Sequence, residues 1–194
     1  MIKNFYIFRH GQSSYNVEGR IQGQTNDSVL TELGRSQAVA LGEKLQSKNI
    51  EVMVSSPLLR ALQTAELVNK SLNIPIVIDK HFIEVNVGEV EGLPYNDVIK
   101  KYPQVYKQLH SPNIEECFDV RYPQGETKRE VQKRIFAGLD YWLQQPYNNI
   151  AISTHGIALA QIYAQLDRYT TDIPNCTVLH LINDGTVWRI GCRL

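Results

Sequence analysis

The stretch NFYIFRHG, residues 4–11, decides most of what the sequence predicts about the fold. A run of aromatic and β-branched side chains is typical of a buried strand, and the change to Arg9-His10-Gly11 indicates that the strand ends at a loop. The pattern recurs in NIAISTHG, residues 149–156, where an apolar run again gives way to a histidine and a glycine. A shorter apolar run at residues 52–54 predicts another strand, and residues 74–78 a further one.

Helical patterns separate these strands. Thr31 fits the N-cap of a helix to about residue 47, and Ser56-Pro57 fit the N-cap and first position of a helix to about residue 72. A capping box at residues 127–130 predicts a third helix that ends before Pro146, and a fourth follows the second histidine to about residue 166. Residues 178–182 and 187–190, joined by a turn at NDGT, predict a closing hairpin.

Strands that alternate with helices predict the α/β class. We expect three α/β/α layers around a mostly parallel central sheet, in one domain spanning residues 1–194. Residues 81–125 are rich in glycine and proline, with a short helix near residues 95–102, and are predicted to form a lid or cap insertion. Sites in such sheets form beyond the carboxyl ends of the strands, so the polar residues after each strand should meet at one edge.

Composition limits the function classes. The 194 residues hold 20 Lys+Arg and 20 Asp+Glu, so no global basic field would attract nucleic acid or an anionic membrane. No run approaches the ~20 apolar residues of a membrane span, and the N-terminal run is too short for a signal peptide. We expect a soluble, cytoplasmic protein that binds neither nucleic acid nor membranes; its oligomeric state is left open, a homodimer included. Three cysteines without a CxxC pair (Cys117, Cys176 and Cys192) predict reduced structural thiols.

The tripeptide Arg9-His10-Gly11 carries the first chemical signal. A neutral imidazole held in one tautomer is a good nucleophile, and a guanidinium offers a planar fork to phosphate oxygens. Glycine lets the backbone approach a ligand closely. The tripeptide alone is equally compatible with a surface histidine after a strand, so its context has to decide.

Seven motifs in chain order resemble those of the histidine phosphatase superfamily, the phosphoglycerate-mutase-like proteins. Residues 9–16, RHGQSSYN, are similar to the opening motif R-H-G-x-T-x-x-N, with Ser13 in the place of threonine. The other six matches are Gln22-Gly23 with Asp27, Leu30, Thr31, Gly34 and Gln37-Ala38; residues 55–61 with Thr64-Ala65; Phe82-Ile83-Glu84 with Gly88 and Glu91-Gly92; residues 123–127; Thr154-His155-Gly156; and Asn175-Cys176-Thr177.

The resemblance implies a role for each motif residue. His10 would attack phosphorus and carry the phosphoryl group, and Glu84 would protonate the leaving oxygen and then activate water. The side chains implied to surround the phosphoryl oxygens are Arg9, Arg60 and His155, with a further hydrogen bond from Asn16; Gln22, Gly23 and Gly156 are further substrate-binding candidates. No metal or cofactor is expected, since arginines and histidines supply the positive charge.

Several alternatives stay open. Glu89 and Glu91 are alternative acids, and Glu126 is either part of the site or a carboxylate at a helix start. Arg60 could instead form a surface salt bridge, and His155 could be a hydrogen-bonded core histidine.

The resemblance also leaves three functions to weigh. A phosphatase acting on small phosphorylated metabolites is favoured over a phosphoglycerate mutase. The family's mutases have a longer insert with a tyrosine three residues after the acid, where this chain has Val87, and a paired arginine further on, where it has only Arg121. A phosphate-binding protein without turnover is the third candidate.

Overall fold

The computed structural model describes residues 2–166 and 168–191, and its strands form one sheet. The strands are β1 (Lys3–Arg9), β2 (Val52–Ser55), β3 (Ile76–Ile78), β4 (Asn149–Thr154), β5 (Val178–Asn183) and β6 (Trp188–Ile190). Their order across the sheet is β3-β2-β4-β1-β5-β6. The first four in that order run parallel, and β5 and β6 are antiparallel to their neighbours. The predicted mostly parallel sheet and its closing hairpin are confirmed.

Helices cover both faces of the sheet. They are α1 (Ser14–Glu18), α2 (Glu32–Leu45), α3 (Leu59–Leu72), α4 (Tyr95–Lys101), α5 (Pro103–Leu109), α6 (Ile114–Cys117), α7 (Lys128–Leu143) and α8 (Gly156–Gln165). Side chains of β1 alternate between two apolar clusters, as the period of a strand requires. Phe5 and Ile7 pack with α7 and α8, whereas Tyr6 and Phe8 pack with α2 and α3. The three-layer α/β/α architecture is therefore confirmed.

The predicted caps are right for two helices and wrong for one. The Thr31 side chain accepts a hydrogen bond from the Gly34 backbone N–H, and Thr127 begins α7 with a complete capping box. The N-cap of α3 is Leu58, not Ser56. The Ser56 hydroxyl accepts from the Leu58 backbone N–H at 3.3 Å but also contacts a buried histidine ring, so it serves the site as well as the helix.

The predicted lid segment, residues 81–125, contains α4, α5 and α6 where the sequence predicted one short helix. It has a small apolar cluster of its own, formed by Val90, Val98 and Tyr122 with Ile21 from the loop before α2. Its action as a lid stays a prediction. Among the described residues, no helix is both long and apolar enough to cross a bilayer.

The cysteine thiols lie apart from one another. Cys117 is buried in a small cluster with Phe118, and Cys176 is partly buried in a different part of the fold. Both are free thiols, and Cys192 lies outside the described residues.

Candidate active site

A cavity of about 220 Å³ lies at the carboxyl edge of the parallel strands. Eight of the nine predicted site residues line it: Arg9, His10, Asn16, Gln22, Gly23, Arg60, Glu84 and Gly156. The ninth, His155, sits directly behind the lining, with its ring centroid 5.3 Å from that of His10. The fold thus brings together residues separated by up to about 150 positions, because β1 and β4 end side by side and α3 begins beside them.

His10 follows the last residue of β1 and is only 2% exposed. Its Nδ1 lies 2.7 Å from the carbonyl oxygen of Gly11. A carbonyl can only accept, so Nδ1 carries the hydrogen and Nε2 keeps its lone pair. Burial and the charges of Arg60 and Arg9 hold the pKa of His10 well below its usual value. The imidazole is therefore neutral near pH 7 and has one fixed nucleophilic nitrogen.

Backbone contacts hold the His10 loop in place. The His10 N–H donates to Thr154 O at 3.0 Å, and its carbonyl accepts from the Asn175 amide at 3.0 Å. The Gly11 N–H donates to the Thr64 hydroxyl at 3.0 Å. A Cβ at Gly11 would lie 2.4 Å from the carbonyl oxygen of Gly34, so any side chain there would displace the loop from α2.

Arg60 supplies buried positive charge to the cavity, and Arg9 supplies partly buried positive charge. Arg60 is 1% exposed and donates to Gly23 O at 2.7 Å and to Thr25 O at 2.9 Å, while Arg9 donates to the carbonyl of Ile173. Burial lowers the pKa of Arg60 to about 10, against the opposing influence of Glu84, so the guanidinium stays charged.

Neither arginine is neutralised by an ion pair. No salt bridge joins Arg9 or Arg60 to a carboxylate within residues 2–166 and 168–191. The Nε atoms of both side chains are buried without a partner there. This placement of Arg60 is unlike that of a surface salt-bridge residue, and it leaves donors available to an anion.

His155 is fully buried, and its orientation depends on Ser56. Its Nε2 lies 2.7 Å from the Ser56 hydroxyl, which already accepts from the Leu58 N–H. A hydroxyl has one hydrogen and two lone pairs, so this contact is compatible with either neutral tautomer of the ring; Nδ1 is buried without a partner in the described part of the chain. Burial, Arg60 and His10 keep the pKa of His155 well below its usual value. His155 is thus a neutral ring whose Nδ1 is not engaged by the described residues.

Glu84 combines a place at the cavity with a role at a helix end. It is 8% exposed, and its Oε2 accepts from the Ile157 N–H and its Oε1 from the Ala158 N–H, both at 3.1 Å. A carboxylate in this position interacts favourably with the N-terminus of α8, whose N-cap side chain makes no capping bond. The contacts fix the carboxylate at the wall of the cavity.

The two alternative acids lie elsewhere. Glu89 is on the surface, 3.7 Å from the ammonium of Lys101. The carboxylate of Glu91 accepts from the Gln24 backbone N–H at 2.9 Å. Neither lines the cavity, so the arrangement favours Glu84 as the group that would meet a leaving oxygen.

Asn16 and Gln22 turn their amide nitrogens toward a ligand. Asn16 Oδ1 accepts from the Ser13 N–H at 3.1 Å, and Gln22 Oε1 accepts from the Ser13 hydroxyl at 2.9 Å. In each case the amide oxygen is engaged, which leaves the NH₂ end as the donor. Gly23 has a φ of 52°, and a Cβ there would lie 2.5 Å from Val87 Cγ2. The glycine is therefore required where this loop meets the lid segment.

A family model described as "Histidine phosphatase superfamily (branch 1)" matches residues 5–190. The chain belongs to the histidine phosphatase superfamily. A curated relative, "Probable phosphoglycerate mutase GpmB" of Yersinia pestis (strain Pestoides F), is 32% identical over 162 residues, which cover 83% of this chain and 73% of the relative. The superfamily thus includes proteins named as mutases as well as phosphatases.

Solved structures of the superfamily share the whole fold. A mycobacterial glucosyl-3-phosphoglycerate phosphatase in complex with VO3 has a TM-score of 0.85 and 25% identity, with 98% of each chain covered. A phosphoglycerate mutase from Bacillus anthracis str. Sterne has a TM-score of 0.87 and 24% identity, covering 98% of this chain and 92% of that one. The predicted phosphoglycerate-mutase-like fold is confirmed.

One residue that no motif predicted holds the backbone around Glu84 in place. Arg134, on α7, donates to the carbonyls of Ile83 at 2.6 Å and Glu84 at 2.9 Å. It also contacts Glu126 Oε1 at 3.0 Å, so the Glu126 carboxylate pairs with Arg134, while Glu130 completes the capping box. An arginine in the second turn of an amphipathic helix gives no functional signal in a single sequence, because such residues usually face solvent.

Two further residues of this superfamily member belong to the site. Asn175 donates to both the His10 carbonyl and Asn16 Oδ1, and so joins the His10 loop to the Asn16 side chain at the cavity. Tyr95, at the start of α4, lines the cavity from the lid side. Asn175 stood in a matched motif without an assigned role, whereas Tyr95 is placed only by the tertiary packing of the lid segment. Among the described residues, no three His, Cys, Asp or Glu side chains group so that they could hold a metal ion.

Proposed function

We propose that this chain is a cytoplasmic phosphoric monoester hydrolase that acts on small phosphorylated metabolites through a phosphohistidine intermediate on His10. One observation carries the proposal. The Nδ1 hydrogen of His10 is committed to Gly11 O, so the Nε2 lone pair is available beside the guanidiniums of Arg9 and Arg60, which form no ion pair with the described residues. That combination of a neutral nucleophile and fixed positive charge is what transfer of a phosphoryl group to nitrogen requires.

In the first step, the Nε2 lone pair of His10 attacks phosphorus. The N–P bond forms as the bond from phosphorus to the ester oxygen breaks, and Glu84 in its acid form gives that oxygen a proton. Arg9, Arg60 and the Nδ1 hydrogen of His155 would stabilise charge on the equatorial oxygens. Preorganised donors of this kind contribute roughly 3–4 kcal/mol each to transition-state stabilisation.

In the second step, water attacks the phosphohistidine. Glu84, now a carboxylate, takes a proton from the water as its oxygen bonds to phosphorus. The N–P bond breaks, the electron pair returns to Nε2, and inorganic phosphate leaves. Neither step as proposed needs a metal or a cofactor, since the protein itself supplies the charge and the proton relay.

A phosphoglycerate mutase is the second candidate, because a relative at 32% identity carries that name. A mutase has to keep the phosphoryl group from water and bind a second acidic group close to it. Here the lid contributes the apolar side chain of Val87 to the cavity wall, and Arg9 and Arg60 are the arginines that line the cavity. Hydrolysis is therefore favoured.

Assays with an aryl phosphate and with 3-phosphoglycerate, each with and without bisphosphoglycerate, separate these functions. Hydrolysis of the aryl ester without bisphosphoglycerate supports the phosphatase. Isomerisation that depends on bisphosphoglycerate would support the mutase instead, and no turnover of any ester would point to a phosphate-binding protein.

Trapping the intermediate tests the mechanism. Acid quenching in the presence of labelled ester should leave label on the wild-type protein with the acid lability of phosphohistidine. His10→Ala should lose both label and turnover while keeping the folded far-UV spectrum. His81→Ala, which removes an exposed imidazole paired with Asp79, serves as the matched control and should keep both. Turnover retained by His10→Ala would refute the mechanism.

A further inference from the structure

A second cavity of about 280 Å³ adjoins the first. Six residues line both cavities: Ile21, Val85, Val87, Tyr95, Ile157 and Thr171. The leaving oxygen of an in-line transfer lies opposite the attacking nitrogen, so the alcohol part of a substrate extends away from His10. The second cavity contains neither His10 nor the two site arginines, and its position suits the alcohol part.

The walls of the second cavity are mainly apolar, but one buried hydroxyl lacks a partner. Tyr122 is 4% exposed, and its hydroxyl forms no hydrogen bond within the part of the chain that the structure describes. Burial raises the pKa of Tyr122 to about 12, so the hydroxyl keeps its hydrogen and can donate. Buried polar groups in folded proteins almost always have a partner, and an oxygen atom of a ligand would provide one here.

The same cavity has an excess of positive charge. Lys128 is 5% exposed, and its ammonium donates to Leu109 O and to the Tyr169 hydroxyl, each at 2.6 Å. Both partners are neutral, and no carboxylate pairs with Lys128 among the described residues. Burial lowers the pKa of Lys128, and a bound anion would oppose that shift.

The other charged groups of the cavity do not cancel this charge. Glu126 is paired with Arg134 at 3.0 Å, so its charge is already compensated. Arg121 adds a second cation to the lining and lies 3.5 Å from the exposed carboxylate of Glu130. An acidic group on the ligand is therefore better matched to this cavity than a basic one.

We propose that this second cavity is a leaving-group subsite for phosphate esters whose alcohol part has an apolar, ring-like body and carries a carboxylate. The proposal rests on the proposed hydrolase function. The apolar walls would cover the ring, and the Tyr122 hydroxyl would donate to the carboxylate, with Lys128 and Arg121 contributing charge. A polyol such as glycerol would leave its hydroxyls against apolar side chains, so small sugar-like phosphates are disfavoured substrates.

The test compares kcat/KM for 4-carboxyphenyl phosphate, phenyl phosphate and glycerol phosphate. For the wild type we expect kcat/KM to be highest for 4-carboxyphenyl phosphate, lower for phenyl phosphate and lowest for glycerol phosphate. Tyr122→Phe should lower kcat/KM for the carboxyphenyl ester about tenfold, chiefly by raising KM. It should leave kcat/KM for the phenyl ester unchanged. Lys128→Met should act in the same direction.

Tyr102→Phe is the matched control. The Tyr102 ring packs 5.8 Å from that of Tyr122, but its hydroxyl contacts the exposed carboxylate of Glu89 and does not line the cavity. Tyr102→Phe should leave the order of kcat/KM among the three esters unchanged. Tyr122→Phe removes a hydroxyl without a partner, so its Tm should not fall below that of the wild type.

Binding separates failure of the subsite from failure of the hydrolase proposal. Calorimetric titration with 4-carboxyphenylphosphonate and phenylphosphonate needs no turnover. Tighter binding of the carboxylated analogue, lost in Tyr122→Phe, supports the subsite even if no ester is hydrolysed. Equal affinity for the two phosphonates, or an equal loss for both in Tyr122→Phe, would overturn the subsite while leaving hydrolysis of phenyl phosphate intact.

Discussion

His10 and His155 are 2% and 0% exposed and lie close to the guanidiniums of Arg9 and Arg60. Both imidazoles are held neutral because a further positive charge beside these guanidiniums, in a desolvated position, is unfavourable. In the unfolded chain each ring would take up a proton near its usual pKa of about 6.5. The unfolded state therefore binds more protons as the pH falls below that value, and stability is lost in that direction.

We predict that the Tm of the wild-type protein falls between about pH 7.5 and about pH 5.5. His10→Asn should weaken this pH dependence by up to about 1.4 kcal/mol per pH unit, because one titrating group is removed. His110→Gln, which removes an exposed imidazole of the lid, is the control for loss of a histidine outside the cavity that holds His10. Thermal unfolding at several pH values measures how stability depends on pH. An unchanged slope of stability against pH in His10→Asn would contradict the assignment of a neutral, buried imidazole.

At the scale of single residues, the sequence predicts which side chains come together at the cavity but not how those side chains are oriented. Arg9 ends β1, and His10 and His155 directly follow β1 and β4, so the parallel order brings them to one edge. The tautomer of His10 depends instead on one atom, Gly11 O, and the orientation of the His155 ring depends on Ser56 Oγ. A shift of a few tenths of an ångström in the position of either partner would change these contacts, and the spacing of motifs along the chain does not specify positions that finely.

At the scale of elements, α7 connects the core of the fold to the candidate acid. Arg134 holds the backbone of the Glu84 segment through the Ile83 and Glu84 carbonyls and is itself held by Glu126. The position of the Glu84 carboxylate therefore depends on a helix that contributes no side chain of its own to the catalytic cavity. We infer that Arg134 is a positioning residue.

Arg134→Met should impair proton transfer to the leaving group more than it impairs binding. We predict a loss of about tenfold or more in kcat for an alkyl phosphate and a smaller loss for 4-nitrophenyl phosphate, whose leaving group needs little protonation. Arg129→Met, on the same helix but paired with the exposed Asp119, should change neither rate. Equal losses for the two esters would show that Arg134 has only a structural role.

Local signals predict the elements well where caps act alone and poorly where packing decides. The side chains of Thr31 and Thr127 identify the starts of α2 and α7, because each bonds to the backbone of its own first turn. The start of α3 is displaced because Ser56 also contacts His155. Of the lid helices only α4 is predicted; α5 and α6 are missed, and the apolar cluster of the lid is completed by Ile21, from a distant part of the chain.

At the scale of the whole molecule, the fold concentrates positive charge where the net charge of the chain gives no hint of it. Equal numbers of acidic and basic residues leave the protein formally neutral, yet the buried Arg60 and the partly buried Arg9 line one cavity without an ion pair in the described residues. Desolvated like charges lower the stability of the unliganded fold. An anion in the cavity should therefore stabilise the whole molecule.

Inorganic phosphate should raise the Tm of the wild-type protein. At roughly 100 times its Kd, a ligand that binds only the folded state contributes about 2.7 kcal/mol, which corresponds to about 5–10 °C for a chain of this size. Sodium chloride at the same ionic strength should give little of this rise in Tm. The hydrogen-bond donors converge on one small cavity, where they can bond to the several oxygens of phosphate but not in the same way to a single chloride ion. Arg60→Met should lose the phosphate-dependent rise whatever its Tm without phosphate. A rise that chloride reproduces, or that Arg60→Met retains, would place the stabilising anion somewhere other than between these guanidiniums.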